Sequence, residues 1–196
     1  MRHYFIIFYL AIQFLATGQN TVDGFSFEKE RLILGLKSLD KSNDELTLRI
    51  WVDPKLTNGL ELFNIVFTRT DSTYISYFTA DQNSKFKLEK IVGYKVLEGL
   101  RVFLIKNNYS TLPNYEDIFP KLEKRMPDGT VIDPLIVGDG VNYIFQFKNN
   151  HSKREYTFHC PFEYQKEYPK IEEFNNVTNI IDYLQSLLKV QFRTKC

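Results

Sequence analysis

The sequence predicts an α+β fold in which an antiparallel β-sheet of about six to seven strands is packed by a middle helix and a C-terminal helix. Two patterns indicate this. Apolar and aromatic residues alternate along several short segments, whereas helical spacing occurs once in the middle of the chain and once near its end. Period-two alternation is typical of strands and a period of 3.6 residues of helices. A chain of 196 residues, 43% of them hydrophobic, is also long enough to bury a sizeable core.

Residues 1–18 have the pattern of a cleavable signal peptide. Arg2 provides a positive charge, and the run Tyr4–Ala16 is apolar except for Gln13. Ala16 and Gly18 place small side chains at the −3 and −1 positions of the cleavage site, as a signal peptidase requires. A membrane span needs about 20 apolar residues, so this run is short for an anchor. We therefore predict a secreted or periplasmic protein with no stable membrane anchor after removal of the leader.

After the leader, we expect residues 19–30 to form a polar lead-in and residues 31–196 a single α+β domain. The whole chain has 25 basic and 24 acidic residues, and one basic residue lies in the leader, so the mature chain is balanced. Nucleic acids and anionic membranes attract proteins with a basic surplus. The balanced charge therefore gives no reason to expect a nucleic-acid partner.

The first half of the domain predicts an antiparallel meander. Its clearest strand alternates Leu46, Leu48, Ile50 and Val52 with polar residues and Trp51, a pattern that predicts a half-buried strand. The first segment is ambiguous between a strand and a short helix, and we predict a strand because its glycine disfavours a helix. The predicted strands are Arg31–Leu39, Glu45–Val52, Glu61–Arg69 and Thr73–Thr79.

The middle of the chain changes from strand to helix periodicity. Apolar residues at helical spacing predict a helix over Tyr94–Lys106, which the following asparagines end. A short helical turn is expected near Tyr115–Phe119. Val131–Val137 is predicted to be an edge strand, because Pro134 has no N–H to donate to a neighbouring strand.

The last third predicts a hairpin followed by a helix. Val141–Phe147 and Glu155–Phe162 both alternate in aromatic residues and flank a polar loop, which is the pattern of a β-hairpin. Beyond Pro169, one apolar stripe predicts a helix that packs on the core. The stripe consists of Phe174, Val177, Ile181, Leu184 and Leu188.

Two cysteines, Cys160 and Cys196, leave two alternatives open. Cys160 is in phase with the aromatic face of its predicted strand, and a buried free cysteine behaves as a small hydrophobic residue. We favour that interpretation. In an oxidising compartment the two thiols could instead form a disulfide that ties the C-terminus to the strand.

No strong catalytic motif is present, so the candidate functional residues are single side chains. His159 is the candidate general base, because histidine is the residue most often used in that role. Trp51, Tyr77 and Tyr143 are predicted on outward strand faces, where they would line a sugar or peptide groove or serve as cross-strand partners. The spacing of His and Cys residues predicts no metal site, and no cofactor motif is found.

Three Asn-x-Ser/Thr sequences occur, at Asn108, Asn150 and Asn176. They can carry N-linked glycans only in a host that glycosylates secreted proteins. The third falls inside the predicted C-terminal helix, so we do not expect all three to be used.

Several short motifs follow one another along the chain: Leu48–Val52, Asn58-Gly59, Leu112–Asn114, Gly138–Tyr143, Tyr156–Pro161 and Asn179–Ile181. Their order resembles a loose group of uncharacterised secreted bacterial proteins, in which an R-I-W strand precedes a D-G-x-x-Y hairpin, a Y-x-x-H-x-P strand and a terminal helix. The resemblance implies the same fold class and compartment but no activity. It reserves no role for Cys160, whose position is usually a small residue in the group.

These observations favour a secreted or periplasmic, non-enzymatic module that binds a protein or glycan of the cell envelope. The alternative is a small hydrolase or carbohydrate-active enzyme that uses dispersed carboxylates, with His159 as a participant. The two hypotheses differ in one structural respect. The enzyme requires His159 to lie in a concave pocket with carboxylates.

Overall fold

The computed structural model describes residues 27–54, 59–68, 73–81, 85–93, 97, 99–132, 134, 136–191 and 196. The predicted leader and most of the predicted lead-in lie outside the described residues. So do Asn58 of the resemblance and the first residues of the helix predicted from Tyr94.

Strands and helices occur in separate groups along the described chain, as is typical of an α+β protein. The helices are α1 (Glu28–Ile33), α2 (Leu100–Lys106), α3 (Tyr115–Ile118), α4 (Pro161–Glu167) and α5 (Glu172–Leu188), with a 3₁₀ turn at Phe119–Lys121. The strands are β1 (Leu46–Pro54), β2 (Glu61–Phe67), β3 (Tyr74–Ala80), β4 (Phe86–Gly93), β5 (Lys124–Arg125), β6 (Val131–Ile132), β7 (Val141–Asn149) and β8 (Lys153–His159).

Six strands form one antiparallel sheet in the order β4-β3-β2-β1-β7-β8, and β5 pairs with β6 separately. β1 lies inside the sheet and pairs on both sides, with Ile50 opposite Phe63 of β2 and Phe145 of β7. The meander of the first half and the hairpin of the last third thus join along β1. The predicted α+β class, with a six-stranded antiparallel sheet, is confirmed.

One face of the sheet packs against α5. The predicted apolar stripe of this helix, from Phe174 to Leu188, is at most 1% exposed. Its residues join the aromatic side chains of β7 and β8, among them Phe145, Tyr156 and Phe158, in one continuous core. Burial of each large apolar side chain contributes about 1.5–3 kcal/mol, so this interface contributes substantially to the stability of the fold.

The opposite face of the sheet is covered as well, by the segment that precedes β1. A smaller core there contains Trp51, Leu62 and Ile144. The ring of Phe27 stacks on that of Trp51 with centroids 4.8 Å apart. Because both faces of the sheet are covered, the side chains on both sides of β1 are buried. The prediction of a half-buried strand is therefore wrong.

The strand predicted over Arg31–Leu39 is also wrong. Glu28–Ile33 forms the short helix α1, in which Glu28 accepts a hydrogen bond from Arg31 at 2.7 Å. Gly35 follows with φ of 64°, a conformation that glycine adopts without steric cost and that commonly ends helices. The glycine that disfavoured a helix in the sequence in fact terminates one.

Three further differences concern the strands. β4 was not predicted, because it is an edge strand in which Lys87, Glu89 and Lys90 interrupt the apolar pattern. The strand predicted to continue to Phe162 ends at His159. Cys160 has φ of 38°, and Pro161 begins α4, where its missing N–H is no loss. Of the described residues in the predicted edge strand Val131–Val137, only 131 and 132 pair in a ladder.

Candidate binding cleft

A cleft of about 490 Å³ lies where β7 begins and β8 ends, beside α3. The β-hairpin forms its floor, and the segment 136–138 together with α3 and α4 forms its walls. Aromatic rings, amides, a hydroxyl and a carboxylate line it: Asn114, Tyr115, Glu116, Phe119, Ile136, Val137, Gly138, Asn142, Thr157, His159 and Tyr164.

His159 lies in this cleft, and both of its ring nitrogens are within hydrogen-bonding distance of other groups of the protein. Nδ1 is 2.9 Å from Oδ1 of Asn142, its cross-strand neighbour on β7. Nε2 is 2.9 Å from the carbonyl oxygen of Val137. A carbonyl oxygen can only accept, so Nε2 carries a proton and donates it to Val137. His159 therefore anchors the wall segment 136–138 to the sheet.

A tyrosine pair attaches the same wall segment from the other side. The backbone N–H of Val137 donates to the hydroxyl of Tyr164 at 3.3 Å. The rings of Tyr164 and Tyr115 lie 5.1 Å apart. Burial, a hydrogen bond with Tyr164 and nearby tyrosines raise the pKa of Tyr115 above its ordinary value. The Tyr115 hydroxyl thus stays protonated at physiological pH and acts as a hydrogen-bonding group, not as a base.

Asn114 positions α3 against the open edge of the sheet. Its side-chain oxygen accepts the outward N–H of Thr157 on β8 at 3.2 Å. Asn114 is also the N-cap of α3, and its own N–H donates to the side chain of Asp117 at 3.1 Å in a capping box. Such reciprocal bonds satisfy the free backbone donors of the first helical turn. One residue therefore caps the helix and covers an unpaired group of the edge strand.

Directly behind the cleft, a disulfide joins Cys160 to Cys196, with their Cα atoms 4.8 Å apart. The N–H of Val141 contacts the Cys196 sulfur at 3.0 Å. A Cβ atom at Gly140 would overlap the Cys160 sulfur and lie 3.2 Å from the His159 ring. The prediction that Cys160 is buried is confirmed, but the expectation of a free thiol is wrong. The pattern of the strand could not show that the C-terminus returns to it.

The lining of the cleft carries little charge. Among the described residues, Glu116 is its one carboxylate, and no lysine or arginine lines it. Glu116 is exposed, and no ion pair or hydrogen bond to its side chain occurs within the described part of the chain. The cleft therefore offers a neutral to weakly negative surface of aromatic and hydrogen-bonding groups.

The three aromatic residues predicted to face outward lie elsewhere, and that prediction is wrong. Trp51 and Tyr143 are 0% exposed and Tyr77 is 4% exposed. Trp51 donates its indole N–H to Gln146 at 2.7 Å beneath the N-terminal segment. Tyr77 donates to the buried carboxylate of Glu61 on the α5 side of the sheet. All three therefore belong to the interior and cannot line a groove.

Of the sequence candidates, only His159 reaches the cleft. The sequence predicted the helical turn near Tyr115–Phe119, which α3 confirms, but it did not identify the residues of α3 and α4 as part of a cleft. The Asn114-to-Asp117 spacing of a capping box is a further local signal for the start of α3. It predicts a helix start but not what that start packs against.

No protein-family model, curated protein or solved structure matches this chain. No helix in the described ranges is long and apolar enough to cross a membrane. Across the same ranges, no group of three or more His, Cys, Asp or Glu residues is placed to hold a metal ion.

Proposed function

We propose that this protein is a secreted or periplasmic binding module, without catalytic activity, that holds a protein or glycan partner of the cell envelope in the cleft beside His159. The observation that carries the proposal is the state of His159. Both of its nitrogens are within 2.9 Å of groups that belong to the protein. A general base needs a nitrogen within reach of the substrate proton. His159 instead shapes the cleft.

The lining of the cleft supports recognition by stacking and hydrogen bonding. Tyr115 provides an aromatic surface, and Asn114, Asn142 and Thr157 provide amide and hydroxyl groups. Binding sites for small or extended ligands typically combine an apolar surface with a few polar groups that orient the ligand. The lone carboxylate of Glu116 favours a ligand that is neutral or cationic at the point of contact.

The compartment is proposed from two independent features. The leader pattern of residues 1–18 indicates export, and the disulfide between Cys160 and Cys196 is compatible with an oxidising extracellular or periplasmic environment.

The experiment is a binding screen of the mature protein against a glycan array and against acidic, neutral and basic peptide libraries. Hits are then measured again with Tyr115→Ala and with a matched control, Tyr183→Ala. Tyr183 is a half-buried tyrosine of α5 that stacks on Phe103 at 4.1 Å, outside the cleft.

We expect Tyr115→Ala to weaken binding by about fivefold or more, since truncation of a central aromatic contact costs more than about 1 kcal/mol. Tyr183→Ala should leave the affinity unchanged. Equal losses in both variants, or a preference for acidic ligands, would contradict the proposed site.

The alternative enzyme hypothesis is supported by one observation, namely that His159 and Glu116 line the same cleft. The same libraries test it, because a hydrolase would cleave some of their members. Turnover by the wild type that is lost in His159→Gln would replace the binding proposal with the enzyme. We expect binding without turnover.

A further inference from the structure

We infer that, in a host that glycosylates secreted proteins, Asn108 and Asn150 are acceptor sites for N-linked glycans and Asn176 is not. All three have the Asn-x-Ser/Thr sequence that the modification requires. The sequence alone treats them as equivalent. The fold separates them by exposure and by the space that a glycan would need.

Asn108 lies on the surface just after α2. Its neighbour Asn107 is buried and donates to the carbonyl oxygen of Phe103, which ends the helix. Asn108 itself is exposed and has φ of 55°, a left-handed conformation that asparagine tolerates better than most residues. This turn directs the residue away from the core.

Asn150 lies at the tip of the β7–β8 hairpin and is exposed. The turn does not depend on its side chain, because the side-chain oxygen of Asn149 accepts the N–H groups of His151 and Ser152 at 2.8 and 2.7 Å. Within the described residues, no hydrogen bond is made to the side-chain amide of Asn108 or Asn150. Both amides are therefore available for modification without loss of a structural contact.

Asn176 has the opposite environment. It lies within α5 and is 8% exposed, and Thr178 of its sequon is 1% exposed. The Thr178 hydroxyl donates to the carbonyl oxygen of Phe174 at 2.9 Å. A glycan at Asn176 would have to occupy the interface between α5 and the rest of the fold. A chain modified there could not form its core.

The two accessible sites lie at one end of the sheet, away from the cleft. The ring of Tyr109 packs against that of Phe147 on β7 with centroids 5.6 Å apart, so Asn108 lies near the end of β7 that leads to Asn150. Asn142 of the cleft and Asn149 are seven residues apart on β7, which is about 23 Å of strand. Glycans at this end would cover the hairpin tip and leave the cleft open.

The chemical step uses a polyprenyl diphosphate-linked oligosaccharide as the co-reactant. The amide nitrogen of the asparagine forms a bond to the anomeric carbon of the first sugar. The bond from that carbon to the diphosphate oxygen breaks, and the lipid diphosphate leaves with the electron pair. One amide proton passes to a base of the transferase.

The test is expression of the full chain, with its own leader, in a eukaryotic secretory host. In parallel, residues 19–196 are expressed behind a standard secretory leader, so that a failure of the native leader does not hide the result. Glycopeptides of the secreted protein are digested with peptide N-glycosidase, which converts each formerly glycosylated Asn to Asp. Mass spectrometry then locates the converted residues.

We expect conversion at Asn108 and Asn150 and none at Asn176. Asn108→Gln and Asn150→Gln should each remove one glycan from the intact mass, and Asn176→Gln, the matched control, should remove none. Secreted protein without glycans at the two exposed sites, or with a glycan at Asn176, would overturn the inference. The wild-type glycopeptide map decides the question even if a variant fails to fold. Because this test does not involve the cleft, its outcome is independent of the proposed binding function.

Discussion

The disulfide between Cys160 and Cys196 provides the most direct quantitative test of the fold. Its two cysteines are 36 residues apart in sequence. A cross-link over a loop of this length restricts the unfolded chain, and its removal should lower the free energy of unfolding by about 4 kcal/mol. This is a large part of the roughly 5–15 kcal/mol by which a typical domain is stable.

The variant to use is Cys196→Ala. Cys160 is completely buried, so a substitution there would change the core as well as the cross-link. Cys196 is only partly buried, and its replacement leaves Cys160 in place as a buried thiol. The loss of stability then reports mainly on the cross-link, together with the contact from the Val141 N–H to the Cys196 sulfur.

Urea denaturation followed by tryptophan fluorescence measures the effect, because Trp51 is the only tryptophan and is buried in the native state. Reduced wild-type protein is the control and should match the variant. A loss below about 1 kcal/mol would refute the entropic argument. Two reactive thiols in the unreduced, unfolded wild type would show that the disulfide is absent and that the free-thiol interpretation is right.

Two further predictions concern close packing. Gly140→Ala should destabilise the protein by about 1–3 kcal/mol, the usual range for overpacking, because the new methyl group would overlap a disulfide sulfur. Gly138→Ala is its control, since no atom lies within 4 Å of a Cβ there, and equal thermal stability of the two variants would contradict the packing argument. Phe27→Ala should shift Trp51 emission to longer wavelength and cost about 1–2 kcal/mol of unfolding free energy. The control is Leu32→Ala, at a 66% exposed position, which should change neither the emission wavelength nor the free energy of unfolding. An unshifted emission in the Phe27 variant would show that the N-terminal segment does not shield the indole.

Prediction from the sequence succeeded where a repeating pattern matches a regular element. The stripe from Phe174 to Leu188 predicted α5, and the alternation in β1, β2, β3 and β7 predicted their strands. It failed for β4, whose two lysines and one glutamate mark it as polar, and for α1, whose six residues are too few to show a period. Edge strands and short helices bury little apolar surface, so their sequences carry little pattern.

The candidate site was less predictable than the fold. The sequence offered His159 as a reactive group, but it could not show that Asn142 and Val137 hold both of its nitrogens. Those contacts join residues 17 and 22 positions apart, and only the pairing of β7 with β8 and the return of segment 136–138 bring them together. Tyr115 and Tyr164 are brought to the cleft by two short helices from separate parts of the chain.

The sequence by itself determined the class of the fold, the core stripe of α5 and the β7–β8 hairpin, because each depends on residues within one or two neighbouring segments. Only the tertiary structure decided which faces are covered. The alternation in β1 places Trp51 on the strand face predicted to be exposed, yet the segment before β1 buries it. The pattern around Cys160 is that of a buried free thiol, yet the C-terminal Cys196 forms a disulfide with it. Periodicity records the direction in which a side chain points relative to its own strand. What it meets there depends on distant parts of the chain, and local sequence does not encode that.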